Sequence, residues 1–261
     1  MLHHRIYSSG PDRDWVVFVH GAGGSSAVWF RQIRAFREHF NLLLVDLRGH
    51  GGSSGVPSTR DRRSYNFQAI SREVLEVLDH LRIRCAHFVG VSLGTIIVRT
   101  IGEIEPARVS SMIMVGAVTR LTPRSRILAA IANAVKRFVP PMLLYRILAW
   151  IIIPRRDHQR SRVIFIREAR KLARAEFLRW FRLLGEVNPL LRFFREKETG
   201  IPTLYLMGSE DHMFLPPVRQ IVRQHRNSLL RVIQGAGHVV NIDRPDCFNR
   251  IAIRFILDRA A

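Results

Sequence analysis

The fold is decided by eight consecutive residues, His87-Phe88-Val89-Gly90-Val91-Ser92-Leu93-Gly94. The apolar run that ends at Val91 is typical of a buried strand, and apolar residues recur at helical spacing from Leu93 to Ile104. A serine between a strand and a helix must sit in a tight turn, and glycines two residues before and after it remove side chains that would collide there. We therefore predict that Ser92 lies at the N-terminus of a helix, where free N–H groups favour a developing negative charge.

The same alternation of strand and helix patterns runs along most of the chain. The predicted strands are Trp15–Val19, Asn41–Val45, Ala86–Val91, Val109–Val115, Pro202–Met207 and Leu230–Ile233. The predicted helices are Ala27–His39, Phe67–Leu81, Leu93–Ile104, Pro217–His225 and Pro245–Leu257. This rhythm predicts an α/β fold with a doubly wound, mostly parallel sheet.

The rhythm breaks once, between the strands that end near Val115 and begin at Pro202. The gap is far longer than an ordinary crossover connection. Within it, apolar residues recur at helical spacing in three segments, Ile127–Val139, Met142–Ile153 and Val163–Leu184. We predict a helical cap at residues 119–199, inserted into a core formed by residues 1–118 and 200–261.

Positive charge is concentrated in this gap. The chain carries a formal net charge of +20, and the segment 119–198 alone holds 19 basic and 6 acidic residues. An arginine-rich cap predicts peripheral contact with anionic lipid or with an anionic substrate. No helix-turn-helix, RNA-recognition or zinc motif accompanies the charge, so we expect no specific nucleic-acid partner. Nothing in the sequence indicates an oligomeric state.

Cysteine usage and hydropathy point to a cytoplasmic protein without a cofactor. Cys85 and Cys247 lie far apart and at no metal-ligand spacing, so we expect two reduced, buried thiols, no disulfide and no metal. The first residues carry charge and no apolar signal-peptide core. The longest apolar stretch, Phe138–Pro154, is interrupted by Pro140, Pro141 and Arg146 and is shorter than the ~20 residues that span a bilayer.

A serine nucleophile needs a base, and the base needs an acid that orients it. His238 follows the last predicted strand and is the candidate base. Asp211 follows the strand before it and is the candidate acid, with Glu210 and Asp243 as alternatives. Ser92, Asp211 and His238 each come just after a strand, at the sheet edge where open α/β proteins build their sites.

A glycine-rich turn, His20-Gly21-Ala22-Gly23-Gly24, follows the first predicted strand. Such a turn frees backbone N–H groups to bind a substrate oxygen. The N–H groups of Ala22 and Leu93 would together form a two-donor oxyanion hole. A phosphate-binding loop is the alternative, but neither of its glycine motifs is present.

Taken with Asp46-Leu47-Arg48-Gly49-His50-Gly51-Gly52-Ser53, these motifs resemble those of the α/β-hydrolase family, in the same order and over nearly the whole chain. The resemblance implies that Ser92, His238 and Asp211 form a catalytic triad and that Ala22 and Leu93 supply the oxyanion-hole N–H groups. The chain departs from the family at its start, because few residues precede Trp15. One or both of the family's early antiparallel strands should therefore be short or absent.

We predict roles for several further residues. The predicted pocket residues are Gly23, Trp29, Trp150 and Trp180. We expect His20 to brace the glycine-rich turn, and Asp46 and Arg48 to hold the loop after their strand. The remaining histidines of interest, at positions 158, 212 and 225, are interpreted as solvated or cap residues.

The nucleophile narrows the function, since dehalogenases and epoxide hydrolases of this family use an aspartate where this chain has Ser92. We predict a cytoplasmic serine hydrolase, of the carboxylesterase or lipase type, that cleaves a hydrophobic or small-molecule ester through an acyl-enzyme. The alternatives are a thioesterase, a C–C bond hydrolase, a lyase with the same triad, and a slow ligand-sensing hydrolase that binds a protein partner.

Overall fold

The computed structural model describes residues 1–55, 65–121, 127, 139–185 and 187–260. In these residues seven strands form one sheet in the order β1-β3-β2-β4-β5-β6-β7, with all neighbours parallel except β1 and β3. The strands are β1 (His4–Tyr7), β2 (Trp15–Val19), β3 (Asn41–Val45), β4 (Ala86–Val91), β5 (Val109–Val115), β6 (Thr203–Gly208) and β7 (Ser228–Ile233). The predicted fold class is confirmed.

Helices cover both faces of this sheet and its C-terminal edge. In chain order they are α1 (Phe30–Arg37), α2 (Phe67–His80), α3 (Leu93–Ile104), α4 (Pro141–Ile152), α5 (Gln159–Ala169), α6 (Arg174–Gly185), α7 (Asn188–Glu196), α8 (Leu215–Gln224), α9 (Val240–Asp243) and α10 (Pro245–Ala260). Apolar residues of α2, α3 and α8 belong to the hydrophobic core on one face, and those of α1, α9 and α10 to the core on the other.

Strand β2 shows why the strands read as continuous apolar runs. Val17 and Val19 point into the first core, whereas Val16 and Phe18 point into the second, and all four side chains are fully buried. Successive side chains of a strand face opposite sides, so a parallel sheet covered on both faces requires apolar residues at every position. The uninterrupted sequence Val16-Val17-Phe18-Val19 is the result.

Between β5 and β6 the chain leaves the sheet and forms α4, α5, α6 and α7 in the part that the structure describes. Leu144, Tyr145, Ala169 and Phe177 form a separate apolar cluster among these helices. Other residues of the segment, Trp180 and Leu191 among them, belong to the core of the sheet domain. The helical segment is therefore packed onto the sheet domain.

The helices of this segment differ from their prediction in two respects, and one predicted helix is not tested. The run Val163–Leu184 forms parts of α5 and α6, because the chain turns after Ala169 and Leu172 packs against the apolar cluster. Helix α7 was not predicted, although Pro189 in its first turn is a typical start signal. The predicted helix Ile127–Val139 lies almost wholly outside the described residues.

The start of the chain forms one short antiparallel strand, β1, which pairs with β3 from His4↔Val45 to Tyr7↔Leu42. Both cysteines are free thiols, but Cys85 is exposed and Cys247 is half-buried, so the prediction that both are buried was wrong. Within the described part of the chain, no helix combines the length and the apolar character needed to cross a bilayer.

Candidate active site

Ser92 occupies the turn between β4 and α3 in a strained conformation. Its φ of +53° lies in a region that residues with a side chain rarely adopt. A Cβ on Gly90 would lie 2.7 Å from the carbonyl oxygen of Gly94, and a Cβ on Gly94 would lie 2.4 Å from that of Val19. Both glycines are therefore required by the close approach of neighbouring backbone, as the sequence indicated.

Ser92, His238 and Asp211 form one hydrogen-bonded chain. The Nε2 atom of His238 lies 2.9 Å from the Oγ of Ser92, and its Nδ1 atom lies 2.8 Å from Oδ2 of Asp211. Because the carboxylate can only accept, Nδ1 donates to it and leaves Nε2 to accept the serine proton. The side chains of His238 and Asp211 are each 1% exposed, so this chain is shielded from water.

Of the three candidate acids, the structure places Asp211 against His238 and directs the other two elsewhere. Glu210 pairs with Arg155 and His158. Asp243 accepts a hydrogen bond from the N–H of Gly237 and contacts His158. Among the described residues, no group of three or more His, Cys, Asp or Glu side chains is placed to bind a metal ion.

The loops that carry Asp211 and His238 cross at backbone distance. The N–H of Glu210 donates to the carbonyl oxygen of Ala236 at 3.0 Å. A Cβ on Gly208 would lie only 2.1 Å from the carbonyl oxygen of Gly237. The distance between Asp211 and His238 is therefore fixed by main-chain contacts rather than by flexible side chains.

The glycine-rich turn lies directly beside Ser92. A Cβ on Gly21 would lie 3.1 Å from the Cβ of Ser92, so the two turns are in contact. The N–H of Leu93 is at the first position of α3 and has no partner within the helix. Neither this N–H nor that of Ala22 donates to a protein group among the described residues. Both predicted oxyanion donors are thus unpaired among the described residues and belong to residues that line the same cavity as Ser92.

Two buried histidines hold this turn in place. His20 donates from Nδ1 to the carbonyl oxygen of Gly21 at 2.8 Å and accepts at Nε2 from the N–H of Leu47 at 2.9 Å. His50 accepts at Nε2 from the N–H of Gly23 at 3.0 Å and has Nδ1 3.0 Å from the carbonyl oxygen of Arg48. His20 therefore braces the turn as expected, and the matching contact of His50 was not foreseen.

Both histidines are held neutral. Burial, together with the neighbouring His20, lowers the pKa of His50 to about 3. Burial likewise lowers the pKa of His20. A proton on either ring would replace the acceptor that Leu47 or Gly23 uses, so acid should weaken the turn.

We expect acid to destabilise the protein in a way that His50 controls. In the unfolded chain His50 titrates near pH 6.5, so the unfolded state binds more protons between pH 6.5 and about 3. Stability therefore falls as the pH drops below about 6.5, by about 2 kcal/mol at pH 5 for this residue. Urea unfolding at pH 7.5 and pH 5 should show a smaller loss for His50→Gln than for the wild-type protein. His39→Gln replaces an exposed histidine and is the control. If His50→Gln lost as much stability between pH 7.5 and pH 5 as His39→Gln and the wild-type protein do, this assignment would be contradicted.

Asp46 holds the loop after β3, as predicted. Burial alone would raise the pKa of its carboxyl group, but hydrogen bonds from the N–H groups of Ser26 and Gly52 outweigh burial and lower it. Arg48 forms a bidentate ion pair with Glu73. Both side chains therefore act within the sheet domain, and neither lines the cavity next to Ser92.

An apolar cavity of about 190 Å³ lies above Ser92. Ala22, Gly23, Ser92 and Leu93 form part of its wall, and helices α3 to α6 supply most of the rest. The remaining lining residues are Ile96, Val118, Leu121, Tyr145, Leu148, Ala149, Ile152, Phe165, Leu172, Phe177, Trp180, Phe181, Leu184, Val187, Met213 and Phe214. No charged side chain belongs to the described lining.

The two most polar side chains of the upper wall are already paired. The hydroxyl group of Tyr145 donates to the carbonyl oxygen of Ala22 at 2.9 Å, and the indole N–H of Trp180 donates to that of Arg48 at 3.1 Å. The peptide group between Ala22 and Gly23 is therefore held from the cap by Tyr145 and from the sheet domain by His50. Tyr145 was not predicted to contact the site.

Two of the predicted pocket residues lie elsewhere. Trp29 is fully buried in the second hydrophobic core, where it packs against Phe18 and Phe248. It does not reach the cavity. Trp150 is 50% exposed on α4, and its ring stacks with Arg162 rather than facing Ser92. Gly23 and Trp180 line the cavity.

His158 joins the helical segment to the loops that carry Asp211 and His238. It is buried, with Nε2 2.7 Å from Glu210 and Nδ1 3.1 Å from Asp243. Glu210 precedes Asp211, and Asp243 holds the backbone N–H of Gly237, which precedes His238. His158 thus lies in the helical segment but is not solvated. His225 lies outside that segment and is buried as well, so its interpretation as a solvated or cap residue was wrong. Their environments depend on helix docking, which residue spacing does not reveal.

The sequence pattern of the Alpha/beta hydrolase family matches residues 16–249, which include the whole of the site described above. The chain belongs to the alpha/beta hydrolase family. The strand order, the turn that carries Ser92 and the order of Ser92, Asp211 and His238 along the chain all agree with this membership.

Relatives with curated names span the full length of the chain. It is 28% identical to a putative carbamate hydrolase RutD from Agrobacterium fabrum, over 98% of this chain and 97% of the relative. It is 24% identical to 3-oxoadipate enol-lactonase 1 from Acinetobacter baylyi, over 96% and 92%. The crystal structure of the enol-lactonase from Burkholderia xenovorans LB400 superposes with a TM-score of 0.78 at 21% identity, over 98% of this chain and 96% of that one. At this identity the superposition shows the shared fold.

Proposed function

We propose that this protein is a serine hydrolase that cleaves carboxylic esters of uncharged, hydrophobic acyl groups through a covalent acyl-enzyme. One observation carries the proposal: the hydrogen-bonded chain of Ser92, His238 and Asp211 opens into an apolar cavity. The relatives named as a carbamate hydrolase and as enol-lactonases support the coarser assignment, a hydrolase of ester- or amide-type bonds.

The first half of the reaction forms the acyl-enzyme. His238 accepts the proton of Ser92 at Nε2 as the serine oxygen attacks the ester carbonyl carbon, and Asp211 stabilises the resulting imidazolium. The carbonyl oxygen becomes negatively charged and is bound by the N–H groups of Ala22 and Leu93, each worth about 3–4 kcal/mol of transition-state stabilisation. Collapse of the tetrahedral intermediate expels the alkoxide, which takes the proton from His238.

The second half regenerates the enzyme. A water molecule donates a proton to Nε2 of His238 and attacks the acyl carbon, and the same two N–H groups bind the second oxyanion. The proton then returns to the oxygen of Ser92, and the carboxylic acid leaves. Each step uses the same 2.9 Å contact between His238 and Ser92, so the geometry serves both halves.

The cavity favours an uncharged acyl group of moderate length. A dry cavity of about 150 Å³ holds benzene, so about 190 Å³ suits an acyl group of roughly six to eight carbon atoms. A free carboxylate on the acyl chain would lose its hydration without meeting a cation on the described lining, which is costly. Binding should therefore discriminate strongly against charged acyl chains.

We expect p-nitrophenyl esters to be hydrolysed with a maximum of kcat/KM near acyl chains of roughly six to eight carbons. The decisive pair is p-nitrophenyl hexanoate and mono-p-nitrophenyl adipate, which differ by a terminal carboxylate in place of a methyl group. The adipate ester should react at least ~100-fold more slowly, because its carboxylate enters the cavity unpaired. Equal rates for the two esters would contradict the proposed specificity.

A cavity variant provides the matched control. Ala149 is buried on α4 and lines the cavity, so Ala149→Leu should shift the preference towards shorter acyl chains. Ala107 is exposed outside the site, and Ala107→Leu should leave the profile unchanged. If neither substitution changed the dependence of kcat/KM on acyl chain length, the acyl group would not occupy this cavity.

A further inference from the structure

Helix α4 is apolar on both of its faces. Its inner face contributes Tyr145, Leu148 and Ala149 to the wall of the cavity. Its outer face exposes Leu143 (48%), Ile147 (45%), Trp150 (50%) and Ile151 (38%). These four residues have the i, i+4, i+7, i+8 spacing of a single helical stripe, so they form one continuous surface row.

Such a row is unusual on a helix that faces water. A surface helix normally places polar and charged residues on its outer face, and a helix that is apolar all round is expected to be covered. Arg146 is the only charged residue within α4 and is also exposed, beside Ile147. Among the residues that the structure describes, the outer row therefore lacks the covering that its composition calls for.

Positive charge is concentrated in the stretch of chain that contains this row. The segment 139–167 contains six arginines and a single acidic residue, Asp157. Arg162 stacks on Trp150 with its guanidinium carbon 3.5 Å from the ring centroid, which places the start of α5 beside the apolar row. Arg146, Arg156 and Arg160 are exposed, and none has a carboxylate partner among the described residues. We call these three arginines and the four apolar residues of α4 the cap face.

We propose that the cap face docks on a lipid bilayer that carries anionic headgroups. An apolar row that includes a tryptophan, with arginines beside it, matches the chemistry of a bilayer interface, where acyl chains lie just beneath phosphate groups. The arginines would bind phosphates, while Leu143, Ile147, Trp150 and Ile151 would enter the boundary between headgroups and acyl chains. A nucleic acid offers the same phosphates but would leave the apolar row uncovered.

The docked orientation has a consequence for the site. Because α4 forms part of the cavity wall with one face and the cap face with the other, docking brings the outer wall of the cavity against the bilayer. This inference concerns binding and does not depend on the proposed ester hydrolysis. It predicts that lipid binding persists in a protein whose Ser92 has been replaced.

The first test measures sedimentation with vesicles of phosphatidylcholine and phosphatidylglycerol (3:1) at 150 mM NaCl. The wild-type protein should bind, and Leu143→Ser/Ile147→Ser should bind at least tenfold more weakly. The control Leu229→Ser/Leu257→Ser removes two leucines of similar exposure, 40% and 42%, far along the chain from the cap face. It should change binding less than twofold. Equal binding by the wild-type protein and both double variants would overturn the proposal.

The second test separates local charge from the overall charge of +20. Arg146→Gln/Arg156→Gln/Arg160→Gln should weaken binding at least tenfold. The control Arg223→Gln/Arg231→Gln/Arg250→Gln has the same net charge, uses exposed arginines and should weaken binding less than threefold. Equal losses of vesicle binding in the two triple variants would show that the overall positive charge attracts the protein to the bilayer. That result would overturn the proposal that the cap face is the docking surface.

Trp150 reports the docking depth directly. It is the most exposed of the four tryptophans, since Trp29 and Trp180 are buried and Trp15 is half-buried. Lipids brominated on the acyl chain should quench the fluorescence of the bound wild-type protein and should quench Trp150→Phe much less. Identical quenching in the two proteins would place the contact with lipid elsewhere.

Discussion

Replacing Ser92 with alanine is expected to lower kcat for p-nitrophenyl hexanoate by about 10⁵- to 10⁶-fold. The alanine removes the only oxygen that lies within hydrogen-bond distance of Nε2 of His238 among the described residues. Without it no acyl-enzyme forms, and the remaining catalysis comes from the oxyanion donors and from substrate binding. Steady-state hydrolysis of the ester by purified variant and wild-type proteins measures the loss.

Ser54→Ala is the matched control, because Ser54 is exposed and lies outside the cavity wall. It should retain the wild-type rate. Ser92→Ala should fold as the wild-type protein does, because the substitution removes one side-chain oxygen and leaves the backbone contacts of the turn unchanged. A folded Ser92→Ala variant that retains more than about one hundredth of the wild-type rate would contradict the assignment.

Replacing Asp211 with asparagine is expected to lower kcat by about 10⁴-fold. Oδ2 of Asp211 now accepts the Nδ1 proton of His238, and Oδ1 accepts the N–H of Phe214 at 3.1 Å. Asparagine has one acceptor oxygen, so if it keeps the bond to Phe214, its NH₂ group faces Nδ1 and favours the wrong imidazole tautomer. The structure should persist while Nε2 loses its ability to accept the serine proton.

Glu210→Gln separates this role from a general loss of negative charge. Glu210 is adjacent in sequence, but it pairs with Arg155 and His158 instead of His238. We expect its substitution to change kcat by less than about tenfold, through weaker contact between the cap and the acid loop. Comparing the pH profiles of kcat/KM for both variants checks the difference. A larger loss in Glu210→Gln than in Asp211→Asn would reverse the two roles.

The sheet and its catalytic edge were predictable because they depend on local rules. A buried parallel strand requires apolar residues on both faces. Runs such as Val16–Val19 and Val109–Val115 can therefore be recognised as strands from the sequence alone. The backbone approach at Gly90 and Gly94 likewise allows only glycine. Since parallel strands end at a common edge, residues that follow them, such as Asp211, must lie near Ser92.

The cavity walls were not predictable, because they depend on how helices dock. Trp29 and Trp150 are as apolar as Trp180, but Trp29 packs into the core of the sheet domain and Trp150 faces outwards. Only Trp180 has its indole N–H placed to bond with the loop after β3. Which face of a cap helix turns inwards is decided by contacts far apart in sequence.

The supporting polar residues fall between these extremes. His50 lies within the motif Asp46–Ser53, which the sequence placed in the loop after its strand, but the bond to Gly23, 27 positions away, is visible only in the structure. Nothing in the spacing of His158 signals that it bridges Glu210 and Asp243, because these partners are 52 and 85 positions away in the chain. Long-range pairing of this kind requires the folded structure.

The most direct test of the central claim is covalent labelling with a fluorophosphonate, followed by mass spectrometry of the intact protein and of its peptides. We expect one adduct per chain, located on Ser92, and no adduct in Ser92→Ala. Phosphonylation requires a serine activated by its base, so it reads the pair of Ser92 and His238 without any assumption about the natural substrate. A folded wild-type protein that remains unlabelled, or that carries the adduct on another residue, would contradict the assignment of Ser92 as the nucleophile.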